Sequence, residues 1–150
     1  MALTNGQIPK VANVLNSGTG KVTGSLNVVT LGSDSQGVTV YTAGTSGSRV
    51  ISLMGSTDDT VASNIFVYVL KGAAVQPIGL VPVAASAGNV TGTRNIDFLN
   101  GTNIPGLPVD NTGRQYISLT PSDVLKVGSL VATSAGKSVW VTAQGLDYQT

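Results

Sequence analysis

The feature that most constrains this chain is a series of short stretches rich in Val, Ile, Tyr and Thr, each bounded by turn residues. β-Branched and aromatic residues favour strands, whereas Gly, Ser, Asn and Asp interrupt them. About eight such stretches follow one another, with no convincing long helix between them: residues 38–42, 49–54, 64–70, 77–84, 94–99, 114–119, 124–133 and 138–144. The pattern predicts an all-β fold, an antiparallel, jelly-roll-like β-sandwich of about eight strands. Immunoglobulin-like connections give similar spacings and stay open.

The composition of the chain changes near residue 37. Upstream of this point the sequence is rich in Gly, Ser, Thr and Asn, and only "LNVVTL" has the composition of a short strand. We therefore predict an extended N-terminal arm over residues 1–36 and a β-sandwich domain over residues 37–150. Apolar residues near the start of the arm have the spacing of one helical turn or of an extended anchor, and we predict that they dock the arm on another surface: Ile8, Val11, Val14 and Leu15.

The stretch "NIFVYVL", residues 64–70, is apolar on both faces of its predicted strand. Because side chains alternate along a strand, Ile65, Val67 and Val69 point to one face and the intervening residues to the other. With the first set in the core, the outer face needs a cover of its own. A second copy of the chain is one candidate, and the chain's own arm or the long loop at residues 100–113 is the other.

Charge is sparse and nearly balanced, with eight Lys and Arg residues against seven acids, and a formal net charge of +1. The basic residues are spread evenly along the chain, which argues against a nucleic-acid partner. The N-terminal segment has no pattern of an export signal, and no stretch reaches the roughly 18 to 20 apolar residues of a membrane span. We therefore expect no membrane partner. A chain so poor in charge is weakly protected against association, which indicates a protein that assembles.

The residue inventory argues against an enzyme, because the chain contains no His and no Cys. The Ser-His-Asp and Cys-His arrangements are thereby excluded, together with the commonest general base at neutral pH. Asp58 and Asp59 have oxygen ligands suited to Ca²⁺, but two adjacent carboxylates without further acids nearby are more typical of a solvated turn. We therefore predict no enzymatic activity, no metal site and no cofactor. Aromatic residues make up 5% of the chain and form no cluster of rings for a glycan, and the one Trp, Trp140, is expected to be buried or at an interface.

Two long segments carry a resemblance to a known family. They are "VYTAGTSGSRVISLMGSTDDTVASNIFVYVLKGAAVQPIGLVPVAASAG" and "GRQYISLTPSDVLKVGSLVATSAGKSVWVTAQG". In order, over residues 40–145, they resemble small virion proteins of tailed bacteriophages that decorate or cement the capsid. The segment "TPSDVLKV" keeps Asp123, Leu125 and Val127 of the family pattern and lacks its Gly, and the N-terminal arm has no counterpart.

The resemblance implies a jelly-roll-like sandwich that forms a homotrimer on the outer surface of the capsid, with the major capsid protein as its partner. The protein would be made in the host cytoplasm and would end in the virion. A neighbouring subunit would then cover the outer face of residues 64–70, so we predict a self-association surface made of Phe66, Tyr68, Leu70 and Trp140. Two other classes of function stay open: a phage adsorption or glycan-binding module, and a tail or baseplate component.

Overall fold

The computed structural model describes residues 11–24 and 26–149, and this part of the chain contains nine β-strands. They are β1 (Val11–Val22), β2 (Val38–Thr42), β3 (Ser48–Thr57), β4 (Ser63–Lys71), β5 (Ala74–Val83), β6 (Ile96–Asp97), β7 (Ile117–Leu119), β8 (Val124–Ser129) and β9 (Val139–Gln149). No helix that could span a membrane occurs among the described residues.

The strands form two sheets. The first has the order β1-β9-β3-β6, with β7 pairing to β3 as well, and the second has the order β2-β8-β4-β5. Every pairing between these strands is antiparallel. The predicted all-β fold and antiparallel β-sandwich are therefore confirmed, while the jelly-roll connection stays a prediction.

Each of the eight predicted stretches overlaps one of the strands β2 to β9, and β1 is the additional strand. It lies within the predicted arm and pairs with β9 from Val11, opposite Gln149, to Val22, opposite Val139. The sequence did not predict β1, because its glycines give the segment the composition of a flexible linker. In the structure these glycines serve packing. A Cβ atom on Gly18 would lie 2.2 Å from the carbonyl oxygen of Val40, so only glycine lets β1 approach β2 this closely. The sandwich therefore includes residues 11–22, which lie inside the segment assigned to the arm.

The main core lies between the two sheets and follows from the alternation of side chains along each strand. From β4 it includes Ile65, Val67 and Val69, as the sequence predicts for the inner face. The long loop at residues 100–113 contributes Ile104, which is 1% exposed and belongs to the same cluster. A Cβ atom on Gly79 of β5 would lie 3.1 Å from the Ile104 side chain, so this loop packs against the second sheet.

Candidate interaction surfaces

The outer face of β4 is covered by the chain itself. Residues 26–37, which we call the strap, cross this face and place Val29 against the stacked rings of Phe66 and Tyr68, whose centroids are 5.1 Å apart. The Val29 amide donates to the carbonyl of Ser129 at 2.8 Å, and the Ser129 amide donates to the carbonyl of Asn27 at 2.9 Å. The strap is thus bonded to the end of β8 and shields a second, smaller apolar cluster.

Polar contacts fasten the other end of the strap. The Tyr68 hydroxyl donates to Asp34 Oδ1 at 2.9 Å, and Lys126 Nζ lies 2.7 Å from the same oxygen. Burial and the hydrogen bond to Asp34 both raise the pKa of the Tyr68 hydroxyl, so it stays protonated and remains a donor. A Cβ atom on Gly37 would lie 1.7 Å from this hydroxyl, which explains why glycine ends the strap.

The strap changes the interpretation of the predicted self-association residues. Phe66 and Tyr68 are 2% and 0% exposed, so they present almost no surface to a second copy, and Leu70 is half-buried. The residues that cover this face belong to the predicted arm. The chain's own arm is one of the candidates that the sequence leaves open. Trp140 is also half-buried, on β9 in the other sheet, with Lys21 Nζ 5.8 Å from its ring centroid. The four residues therefore do not form one surface on the single chain.

The predicted docking residues of the arm fall partly outside the described structure. Ile8 lies outside the described residues, and of Val11 only the backbone is described, at the start of β1. Val14 and Leu15 are 40% and 68% exposed on β1, which is an edge strand of the first sheet. Both side chains are accessible to a partner, and docking through them stays a prediction.

Three loops meet at one end of the sandwich and form a surface that we call the loop end: residues 23, 24 and 26, residues 58–61 and residues 131–138. The Gly24 amide donates to Thr133 Oγ1 at 2.8 Å. Asp59, which is 1% exposed, accepts the Ser134 amide at 2.7 Å and the Ser134 hydroxyl at 2.8 Å. Asp58 Oδ1 accepts the Ser138 amide at 2.8 Å. These bonds hold the three loops together.

The two adjacent aspartates act as structural hydrogen-bond acceptors. The hydrogen bond from the Ser134 amide is the main reason why the pKa of Asp59 lies below its usual value, with further bonds from the Ser134 hydroxyl and the Val61 amide opposing the effect of burial. Asp59 is therefore buried rather than solvated, unlike the turn that the sequence suggested. No group of three acidic, His or Cys side chains occurs within the part of the chain that the structure describes.

Large aliphatic side chains stand exposed around the loop end. Leu26, Val61 and Val131 are 67%, 60% and 68% exposed. Beside them is an open cavity of about 610 Å³, whose lining includes Leu26, Ala132, Ala135, Lys21 and Lys137. The sequence did not single out these residues, because Leu26 lies in the strand-like stretch "LNVVTL" and Val131 in the predicted strand at residues 124–133. In the structure β8 ends at Ser129, so Val131 falls in a loop. Only Val61 has a signal of its own, as a large aliphatic residue among polar turn residues.

Ser134 and Lys137 have the Ser-x-x-Lys spacing found in one class of acyl-transfer enzymes. In this structure the Ser134 hydroxyl donates to Asp59 Oδ1 at 2.8 Å instead of to a lysine. The Asp59 carboxylate is in turn occupied by two backbone amides, those of Ser134 and Val61. The hydroxyl is thus engaged in holding the loops together.

Comparisons with known proteins give likenesses in structure and none in sequence. No protein-family model and no curated protein matches the chain. Among solved structures, the chain is similar to a chain of the cyanophage Pam1 capsid asymmetric unit, with a TM-score of 0.44 and 16% sequence identity over 97% of this chain and 98% of that chain. A function has to be inferred from the residues of this chain and their geometry.

Proposed function

We propose that the protein is a structural virion protein that binds the outer surface of a bacteriophage capsid and stabilises the head as a decoration protein. It acts as a homotrimer, its partner is the major capsid protein, and it is not an enzyme. The observation that carries this proposal is the loop end, where Leu26, Val61 and Val131 are each at least 60% exposed on loops held together by hydrogen bonds to Thr133 and to the buried Asp59. The sequence resemblance over residues 40–145 supports the choice of partner.

Exposed aliphatic side chains on a rigid support suit a protein contact. Full burial of a Val or Leu side chain contributes roughly 1.5–3 kcal/mol, so covering the exposed part of these three contributes about 3–6 kcal/mol before association costs. Little ordering entropy is lost on binding, because Asp58 and Asp59 already fix the loops. The contact energy of one chain is modest, and a trimer that engages several capsid subunits multiplies it by avidity.

Stabilisation of the head follows from the position of such a trimer. The packaged DNA exerts outward pressure on the shell, and a trimer that bridges neighbouring capsid subunits adds contacts that must break before the shell opens. Any ligand that binds the closed shell more tightly than the opened one stabilises it by mass action. The proposed activity is therefore mechanical, and it needs no reacting group.

The proposal is tested on virions that carry the protein. Immunogold labelling should decorate the whole head, and heads stripped of the protein should open at a lower temperature and recover when purified protein is added back. Val131→Asp should weaken rebinding to stripped heads, because it places a charge in the apolar contact. Val109→Asp is the matched control, since Val109 is 58% exposed in the loop at residues 100–113. Label confined to the tail, or no rebinding to heads, would reject the decoration function.

The glycan-binding alternative has less support from the described residues. A sugar platform needs accessible ring faces, but the Tyr116 ring is covered by the guanidinium of Arg49, 4.7 Å from its centroid. Trp140 lies beneath Lys21, and Tyr68 is buried under the strap. A tail or baseplate component would use the same kind of contact, and the labelling experiment separates it from a head protein.

A further inference from the structure

The cavity at the loop end combines two features that together define a ligand chemistry. Its volume of about 610 Å³ lies within the range of ligand sites in proteins. Part of its lining is aliphatic, with Leu26, Ala132 and Ala135, and two lysines stand on its wall, Lys21 and Lys137. The neighbouring Leu26 and Val131 side chains are more than 60% exposed. The cavity thus offers apolar surface and positive charge side by side.

Neither lysine of the cavity forms an ion pair within the described residues. The ion pairs found there join Lys71 to Asp123 and Lys126 to Asp34, and neither involves a lysine of the cavity. Lys21 lies over the ring of Trp140, which leaves its positive charge uncompensated.

Asp59 is the carboxylate that interacts electrostatically with Lys137, and it is buried behind the Ser134 hydrogen bonds. Asp58 is likewise occupied, by the Ser138 amide. Both carboxylates keep their negative charge, but their oxygens accept these hydrogen bonds, and neither carboxylate forms an ion pair with Lys21 or Lys137 within the described chain.

We propose that this cavity binds an acidic segment of a partner protein that also carries aliphatic side chains. Carboxylates of the segment pair with Lys21 and Lys137, and its aliphatic side chains cover Leu26 and Val131. Charge complementarity selects the segment and sets its register, while the apolar contact supplies most of the affinity. This inference deepens the proposed function and rests on it for the identity of the partner, the capsid protein.

The proposed binding of an acidic, aliphatic segment is tested with short peptides and without capsids. The full-length ¹⁵N-labelled protein is titrated with acetyl-Asp-Leu-Asp-Val-Asp-Leu-amide, with the same peptide carrying Asn for Asp, and with one carrying Ser for Leu and Val. The acidic aliphatic peptide should shift the amide signals of Gly24, Thr133 and Lys137 in a saturable manner. Both altered peptides should bind at least fivefold more weakly. Equal binding of the Asn peptide, or shifts that avoid the loop end, would overturn the proposal.

Matched variants test the two lysines. The K21Q/K137Q protein should bind the acidic peptide about fivefold to tenfold more weakly, and raising the salt concentration should weaken wild-type binding in the same direction. The R94Q/R114Q protein has the same net charge as K21Q/K137Q, with both changes at exposed positions outside the cavity, and should bind within twofold of wild type. An equal loss in both variants would show a general charge effect and reject the site. The spectrum of each free variant verifies that it is folded.

Failure of this inference is distinguishable from failure of the decoration function. If the protein rebinds stripped heads but the acidic peptide does not bind, the segment proposal is wrong and the decoration proposal stands. If the peptide binds at the loop end but the protein does not attach to heads, the segment proposal stands and the capsid is not the partner.

Discussion

Removal of the Asp34 side chain should open the strap without unfolding the sandwich. In the Asp34→Ala protein the buried Tyr68 hydroxyl loses its acceptor, which costs about 1–3 kcal/mol. The lost ion pair to Lys126 adds up to about 1 kcal/mol, since Asp34 and Lys126 keep 31% and 15% of their side-chain surface exposed. The closing equilibrium of the strap therefore loses about 1–4 kcal/mol, which corresponds to roughly 5- to 900-fold faster hydrogen exchange at the Val29 amide. Exchange is measured by NMR at neutral pH, with core amides of β4 as the internal reference.

A double-mutant cycle identifies the physical cause of this effect. If the unpaired hydroxyl is the main cost, Asp34→Ala should be much milder in a Tyr68→Phe background, where no hydroxyl is left to satisfy. The coupling should be about 1–2 kcal/mol. Lys126→Gln, which breaks the ion pair and keeps the Tyr68 hydrogen bond, should cost less than about 1 kcal/mol. If Asp34→Ala costs the same in both backgrounds, the hydrogen bond does not hold the strap and the reasoning fails.

Four further predictions address the fold and the assembly. Gly18→Ala should destabilise the protein by about 1–3 kcal/mol in urea unfolding, because its Cβ atom meets the Val40 carbonyl, while Gly101→Ala, with nothing within 4 Å, should stay within about 0.5 kcal/mol of wild type. Asp59→Asn should cost about 2–3 kcal/mol at pH 7. The folded-state pKa of Asp59 is lowered, so its stabilisation is present above the unfolded pKa and lost as the pH falls through the folded pKa; the difference from wild type should therefore shrink between pH 5 and pH 2. Light scattering should give about three times the chain mass of 15.1 kDa, and a monomer at all micromolar concentrations would contradict the trimer. Deletion of residues 2–10 removes Ile8 and leaves β1 in place, so the unfolding midpoint should hold while attachment to heads weakens; unchanged attachment would reject a docking role for Ile8.

The sequence predicts the strands β2 to β9 because each has a local signal of its own. Alternation and β-branched residues between turns mark the stretch at 64–70 without any knowledge of its neighbours. The inner face with Ile65, Val67 and Val69 follows from the same alternation and is confirmed. Strand β1 lacks such a signal, since Gly18 is there to fit Val40 of another strand and the composition of the segment therefore resembles a linker. A strand defined by its tertiary partner is not visible in its own residues.

The sequence offers the chain's own arm as one candidate for the cover of β4, but it cannot select this candidate or predict the loop end, for a related reason. Both depend on contacts between segments far apart in the chain, such as Asp34 with Tyr68 and Asp59 with Ser134. An aspartate in a Ser- and Gly-rich turn has the same local sequence whether it is solvated or buried against a distant amide. The exposed Leu26, Val61 and Val131 are far apart in the sequence. They lie together at the loop end only because folding brings their loops side by side.

Strand β1 connects the loop end to the exposed side chains of Val14 and Leu15. Lys21 lines the cavity of the loop end, and the exposed Leu15 lies six residues earlier on the same strand. At about 3.3 Å per residue the two positions are roughly 20 Å apart, and pairing with β9 along this whole length keeps the distance fixed. In the proposed decoration function, this fixed distance would help the protein to bridge neighbouring capsid subunits, because binding at one surface would place the other within reach of its own partner. The glycines that made this segment look like a flexible arm are the residues that pack it against β2 and make it rigid.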